Sequence, residues 1–365
     1  MKNFLNRRNF IKLGIGTLGG LSIFGISELL KEDNGMKKGE LDDKIGSKNE
    51  KDEKKIEDEN KDDKDSEKNK KEQEKAKEQK VNGIPYRNLG KTGEKVSLFG
   101  LGSGAGAIAL ENGATREDAY DVINKSIDEG INYIDTAPSY ADGLCEENIG
   151  EVMKGRREEV ILATKTMSRS YDGVMQDMEG SLDRLNTDVI DIYQLHGLSN
   201  HDDVAELFVN DGAVRALEEL KEQGVIRYTG VTGHNDPEVL LRAISKYDFD
   251  TLLMPLNTGD IHSKPFQQDL LDKALEKEMG IIAMKVVAYG RLLREDGVTS
   301  IEDALSYVYS FPISTAIVGV SNLTQLEENV QITRKFEKLS DEKLKELEEL
   351  TGHYEYEANF FKYEW

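Results

Sequence analysis

Four polar side chains of complementary acidity stand near the ends of apolar, strand-length runs. Asp135 lies within the run Asn132–Thr136, Lys165 ends Val160–Lys165 and His196 ends Val189–His196. Tyr140 follows Asp135 by five residues. Singly, each has a plain structural reading: the aspartate caps a helix, the lysine is a solvated charge, and the histidine is satisfied by its neighbours. Together, at the same ends of neighbouring strands, they make a site for proton transfer. A tyrosine of pKa about 10 is a poor acid at neutral pH. An ammonium beside the phenol favours phenolate and so lowers that pKa. A carboxylate beside the lysine holds it charged and oriented, and an imidazole can hydrogen-bond a carbonyl oxygen. That combination suits protonation of the oxyanion formed when hydride reaches a carbonyl carbon.

Such convergence needs a frame. Eight apolar runs have strand length: Val96–Gly102, Asn132–Thr136, Val160–Lys165, Val189–His196, Ile226–Thr232, Thr251–Leu256, Gly280–Val286 and Thr315–Val320. They are rich in Val, Ile and Leu and show little polar alternation, as strands buried on both faces do. Amphipathic segments separate them. One opens at Thr115 with Asp118 three residues on, a capping-box spacing. Another puts Val174, Met178, Leu182 and Leu185 on one face, and a third carries Leu217 and Leu220 to a stop at Gly224. Eight strand–helix units over roughly 250 residues predict an α/β fold, a (β/α)8 TIM barrel. The alternative is an open doubly wound sheet. It would want a G-x-G-x-x-G turn after the first strand, and Gly100-Leu101-Gly102-Ser103-Gly104-Ala105-Gly106 does not match that register. Ahead of the barrel, Tyr86–Gly93 and Val96–Leu98 predict an N-terminal hairpin around a glycine turn, plugging the bottom. After it, Ser340 followed by Asp341 and Glu342 predicts an extra C-terminal helix. The tail from Tyr354 to Trp365 holds six aromatics and is expected to pack on the barrel.

Composition bounds the partners. The 365-residue chain carries 48 Lys+Arg against 70 Asp+Glu, a formal charge of −22. This balance argues against nucleic acid as a partner, because such binding rests on neutralising phosphates with Lys and Arg. One cysteine excludes an intrachain disulfide and a cysteine-based cluster, and the five histidines have no metal-ligand spacing. Cys145 reads as a small buried residue. Residues 1–30 join Lys2, Arg7, Arg8 and Lys12 to an apolar run from Leu13 to Ile26. That is the layout of an export signal, and Asn6–Lys12 resembles a twin-arginine signal. The expected partner is the twin-arginine translocation machinery. The expected location is extracytoplasmic or membrane-associated, with a membrane tether through this segment open. The run is short for a spanning helix. Residues 31–80 are charged at 34 of 50 positions, without an aromatic, and predict a disordered linker. The acidity lies in residues 81–365, which hold 51 acids and 28 bases and are read as one domain.

Several strings together resemble the aldo-keto reductase superfamily over residues 84–338. They are Tyr86–Gly90 with Val96-Ser97, Asn132–Ala137 with Tyr140, Ala163–Lys165, Ser181–Leu185 leading to Asp188, Asp191 and His196, Gly224–Tyr228 with Gly230-Val231, and Gln325–Asn329. The resemblance implies a barrel enzyme that binds NADPH or NADH and reduces a small-molecule carbonyl, an aldehyde or a ketone. It places the catalytic Asp, Tyr, Lys and His on Asp135, Tyr140, Lys165 and His196. It places the cofactor on Thr232, Lys285, Gly319, Ser321, Gln325 and Asn329. There are departures. The family's Ser-Asn pair and Gln for the nicotinamide amide fall on Thr232-Gly233 and Leu253. The stacking aromatic falls on Val286, with Lys285 beside it. The usual bases for the 2′-phosphate are replaced by Gly319, Ser321 and Gln325, which makes NADH an open choice. Thr232-Gly233-His234 and Met284-Lys285 are similar to a subgroup often joined to ferredoxin-like clusters, whose cysteines this chain lacks. The second reading is a non-catalytic barrel that binds cofactor or serves as an accessory subunit of an exported redox system.

Overall fold

The computed structural model describes residues 79–364. The segment read as a signal, and all but the last two residues of the charged linker, lie outside the described residues.

Three short strands open the fold: β1 (Gln79–Val81), β2 (Ile84–Asn88) and β3 (Lys95–Ser97), in one antiparallel sheet of that order. The expected hairpin is thus three strands wide. Its first strand takes residues 79 and 80 from the stretch read as linker. Val81 is the only apolar residue in it, so no alternation marked it as a strand. The run Val96–Gly102 divides at Leu98, whose N–H donates to the Pro85 carbonyl at 2.8 Å. Below that break the chain belongs to the small sheet, and beyond it β4 (Phe99–Gly102) enters the barrel.

The remaining runs are β5 (Tyr133–Asp135), β6 (Ile161–Thr166), β7 (Ile190–Leu195), β8 (Ile226–Thr232), β9 (Thr251–Pro255), β10 (Gly280–Met284) and β11 (Thr315–Val318). With β4 they form a closed barrel, each strand parallel to its neighbours, and β11 pairs back onto β4. Helices cross between them: α1 (Arg116–Glu129), α2 (Leu144–Arg156), α3 (Tyr171–Arg184), α4 (His201–Glu206), α5 (Ala213–Glu222), α6 (Pro237–Lys246), α7 (Asp269–Glu276), α8 (Ile301–Tyr309) and α9 (Leu323–Lys335). The expected (β/α)8 barrel is therefore the fold. Local signals set its helix ends. The Thr115 hydroxyl accepts from Asp118 N–H while the Asp118 carboxylate accepts from Thr115 N–H, closing the capping box on α1. Val174, Met178 and Leu182 of α3 and Leu217 and Leu220 of α5 are buried on the strands, as their spacing required.

Side-chain alternation along the strands separates two cores. Outward-facing residues meet the helices. Inward-facing ones, including Tyr133, Ala163, Ile192, Leu253 and Ile282, fill the barrel. Val96 of β3 and Leu89, directly after β2, complete that inner cluster from below. Here the backbone comes very close: a Cβ on Gly90, at φ +53°, would lie 2.3 Å from the Gly280 nitrogen. Counting by twos from Tyr133, Ala163 and Ile192 reaches Asp135, Lys165 and His196. All three therefore face the barrel interior at its upper end.

The chain closes with α10 (Asp341–Thr351), capped by Ser340 as expected, and a short α11 (Glu355–Ala358). The tail packs as its aromatics required, with Tyr354, Phe360 and Phe361 buried. Polar anchors fix it. Asn359 Nδ2 donates to Gly259 O at 2.7 Å, and Lys362 Nζ meets Asp260 Oδ1 at 2.6 Å in a pair wholly shut off from solvent.

Candidate active site

The upper mouth of the barrel gathers the four candidate side chains. Asp135 ends β5, Lys165 is the penultimate residue of β6 and His196 follows β7 directly. Tyr140 starts a helical turn after β5, five residues beyond Asp135. Lys165 and Asp135 are buried, and Lys165 Nζ donates to Asp135 Oδ1 at 2.5 Å and to the Thr136 carbonyl at 2.7 Å. The same Nζ stands 4.8 Å from the centroid of the Tyr140 ring. The His196 ring meets Tyr140 edge-on, with centroids 5.8 Å apart and planes at 84°. Ring contacts, rather than a bond to the hydroxyl, thus bring the phenol to the lysine and the imidazole.

Burial dominates the electrostatics. It pushes Asp135 up and Lys165 down from their ordinary values, and each partner's charge opposes the other's shift. Burial also drives His196 well below its usual pKa, helped by Lys165, His234, Arg169 and Lys285. The imidazole is consequently neutral at neutral pH. Its Nδ1 has no hydrogen-bond partner among the described residues. Tyr140 differs from the expectation. Its pKa is pushed well above the ordinary phenol value by burial and by the Asp135 charge, not lowered by Lys165. The reason is geometric: the ammonium bonds to Asp135 and approaches the ring of the phenol. The hydroxyl therefore keeps its proton.

A cleft of about 540 Å³ opens beside this cluster. Asp135 and Tyr140 line it, as do Lys285, Gly319, Ser321, Gln325 and Asn329 of the expected cofactor set. Thr232 is not among the lining residues. It ends β8 wholly buried, and its Oγ1 has no hydrogen-bond partner among the described residues. The departures have structural counterparts. A Cβ on Gly233 would lie 2.5 Å from the Leu198 carbonyl oxygen, so no larger side chain fits there. Leu253 fills the inner core, and Val286 lines the cleft.

The glycine string after β4 finds its use here. Gly106, at φ +81°, would place a Cβ 2.3 Å from Val320 O, and a Cβ on Gly104 would touch the Tyr140 ring at 3.2 Å. Bare backbone thus borders the cleft on the side of β4 and β11, as close approach of a dinucleotide backbone requires. Together with the amides of Gln325 and Asn329, it is a donor set that fits a nicotinamide dinucleotide.

Sequence reasoning gave no role to His234, Met284, Tyr289 or Glu328, all of which line the cleft. Two of them carried a signal: Met284 has inward parity at the end of β10, and His234 stands two residues past the end of β8. The cysteine reading holds. Cys145 is buried, its Sγ donates to Ser103 O at 3.1 Å, and burial pushes the thiol up to about 12. Among the described residues no group of His, Cys, Asp and Glu could hold a metal ion, and no helix is long and apolar enough to cross a membrane.

Comparison with known proteins agrees with this architecture. The profile described as the Aldo/keto reductase family matches residues 100–299. YqkF of Bacillus subtilis (strain 168), described as an uncharacterized oxidoreductase, is 29% identical over 75% of this chain and 98% of its own length. L-galactose dehydrogenase of Arabidopsis thaliana is 29% identical over 73% of this chain and 93% of its own. The holo form of aldo-keto reductase AKR11C1 from Bacillus halodurans superposes with a TM-score of 0.63 at 28% identity, covering 73% of this chain and 96% of that one.

Proposed function

The chain belongs to the aldo/keto reductase family, and from that premise we propose that it reduces an aldehyde or ketone with a reduced nicotinamide cofactor, Tyr140 being the proton donor. One observation carries the reading. A buried Lys165–Asp135 pair lies against the ring of Tyr140 at the barrel mouth, with a neutral His196 edge-on to the same ring.

The cofactor, when bound, supplies the hydride. Gln325 and Asn329 offer hydrogen bonds to it, and the glycines at 104, 106 and 319 let it approach the backbone. The chain's own residues manage the proton. Tyr140 enters the reaction protonated, because burial holds its pKa high. As negative charge grows on the substrate oxygen, the phenol hydroxyl transfers its proton to that oxygen. The Lys165 ammonium, which Asp135 fixes in place, lies over the ring of the phenolate so formed. His196, neutral and with an open ring nitrogen, orients the substrate oxygen by a hydrogen bond. A proton from solvent restores the phenol.

Cofactor choice follows from charge. Ser321, Gln325, Glu328 and Asn329 line the α9 end of the cleft without a lysine or arginine. A 2′-phosphate would meet Glu328 there, whereas ribose hydroxyls can donate to it. NADH is the cofactor on this reading. The export reading rests on the Arg7-Arg8 string and extends the same proposal: the enzyme acts outside the cytoplasm, and cell fractionation checks it.

The test is direct. Purified protein is mixed with NADH or NADPH and a panel of aldehydes and ketones, and loss of the reduced nicotinamide absorbance is followed. Carbonyl-dependent oxidation, with NADH bound at least about tenfold more tightly in a fluorescence titration, is the expected result. Absence of binding of either nicotinamide would remove the reading.

A further inference from the structure

Tyr140 stands at the head of a strained stretch of backbone. The three residues after it, Ala141, Asp142 and Gly143, all adopt positive φ, at +48°, +54° and +90°. Glycine takes that conformation freely, but Ala141 and Asp142 take it at a cost that surrounding structure must supply. Bonds within the segment close the turn on itself. Tyr140 N–H donates to Ala137 O at 3.1 Å, and Leu144 N–H donates to Ala141 O. They do not fix it against the neighbouring strand.

An anchor lies just beyond the turn. Glu146, in the first turn of α2, is wholly buried. Its Oε1 accepts from Thr164 Oγ1 at 2.5 Å, and its Oε2 accepts from Arg184 Nε at 2.7 Å. Thr164 immediately precedes Lys165 on β6. By strand alternation Lys165 points into the barrel and Thr164 points outward, toward α2. One hydrogen bond thus ties the segment that carries the phenol to the strand that carries the ammonium.

A buried carboxylate is costly unless its charge is matched. Arg184, the last residue of α3, matches it, and the backbone makes way for the arginine. A Cβ on Gly143 would lie 2.9 Å from Arg184 Cδ, and one on Gly180 would lie 3.0 Å from its Nη1. A Cβ on Gly150 would lie 2.0 Å from the Arg184 carbonyl oxygen. Bare backbone therefore lets the guanidinium lie across the start of α2, against the last of the three left-handed residues. The carboxylate is also felt inside the barrel. Burial lowers Lys165, and the charges of Asp135 and then Glu146 oppose that shift.

We propose that Glu146 is a positioning residue for the proton transfer: bonded to Thr164 on one side and Arg184 on the other, it holds the Tyr140 turn against β6, with the phenol ring 4.8 Å from Lys165 Nζ. This inference rests on the reductase reading and adds to it what keeps the acid in place. Glu146 touches neither substrate nor cofactor. Its effect falls on the proton-transfer step, because a donor displaced by a fraction of an ångström loses rate while the binding surfaces stay as they are.

The test compares the full chain with Thr164→Val, which keeps the side-chain shape and removes the hydroxyl, and with Thr164→Ser, which restores a hydroxyl. The first readout is kcat and KM for a carbonyl that the wild type reduces, per mole of protein that binds NADH. Thr164→Val is expected to lose at least about tenfold in kcat with KM within about twofold, and Thr164→Ser to keep most of the rate. An unchanged kcat in Thr164→Val, or an equal loss in Thr164→Ser, overturns the proposal. The second readout is free of turnover: amide hydrogen exchange over residues 140–144, followed by mass spectrometry. Exchange there should quicken at least about tenfold in Thr164→Val and stay near wild type in Thr164→Ser, with β8 and β9 unaffected in both. Exchange unchanged at 140–144, or quickened throughout the barrel, refutes the anchor. Should Thr164→Val fail to fold, Glu146→Gln, which gives up the charge paired with Arg184, is expected to show the same two effects, and wild-type behaviour in it counts against the proposal. If the wild type reduces no carbonyl, the reductase reading fails, and the exchange result still decides whether Glu146 holds the turn.

Discussion

Replacing Lys165 by Met separates what the buried ion pair does for folding from what it does for chemistry. The substitution keeps most of the side-chain volume and removes Nζ from two acceptors, Asp135 Oδ1 at 2.5 Å and Thr136 O at 2.7 Å. Both acceptors are buried, Asp135 at the edge of the cleft. Removing one member of a buried pair costs about 3–5 kcal/mol, which for a domain of this size lowers Tm on the order of 10 °C. The sign with pH follows. Unpaired and buried, Asp135 would have a folded pKa raised above its unfolded value. Such a group favours the folded state below its unfolded pKa, and that contribution is lost as pH rises through the folded pKa. The defect should therefore be larger at pH 7 than at pH 5. A well-packed apolar pair in place of a buried ion pair is often neutral or stabilising. The double variant Asp135→Leu/Lys165→Met should accordingly recover to within about 1 kcal/mol of wild type, yet reduce no carbonyl. Urea unfolding followed by far-ultraviolet circular dichroism at both pH values measures all of this. A loss below about 1 kcal/mol for the single variant, or a double variant no more stable than the single, would refute the reasoning.

Three further outcomes are expected. Lys362→Met strands Asp260, which still accepts from the backbone N–H groups of Phe266 and Gln267, so a loss of about 3 kcal/mol and faster proteolysis of the tail are expected in limited digestion. Gly150→Ala on α2 would set a Cβ 2.0 Å from the Arg184 carbonyl oxygen, and thermal unfolding should show a loss of about 3 kcal/mol. Burial holds His196 and His234 far below their ordinary pKa, so stability present above pH 6.5 is lost as pH falls and the unfolded chain takes up protons; His234→Gln should flatten the fall in unfolding free energy between pH 7 and pH 5 by up to about 1.4 kcal/mol per pH unit.

The parts of the fold written in local patterns were legible in the sequence. Eight apolar runs became eight barrel strands because a parallel strand is buried on both faces and shows as a continuous hydrophobic stretch. The capping box at Thr115 and the cap at Ser340 depend on residues within one helical turn, and both stand as read. Gln79–Val81 was missed because an exposed edge strand of three residues has almost no pattern to show. At the site, the convergence of Asp135, Lys165 and His196 follows from strand ends and side-chain parity. The high pKa of Tyr140 does not: it depends on how deeply the phenol is buried and on which side of it Lys165 lies.

The account turns on Tyr140 giving up a proton. Single-turnover oxidation of enzyme-bound NADH on mixing with a reducible carbonyl, measured for wild type and Tyr140→Phe, tests it most directly. The phenylalanine variant should bind NADH as wild type does and react at least about a hundredfold more slowly. Equal rates in the two proteins would contradict the assignment of Tyr140 as the acid.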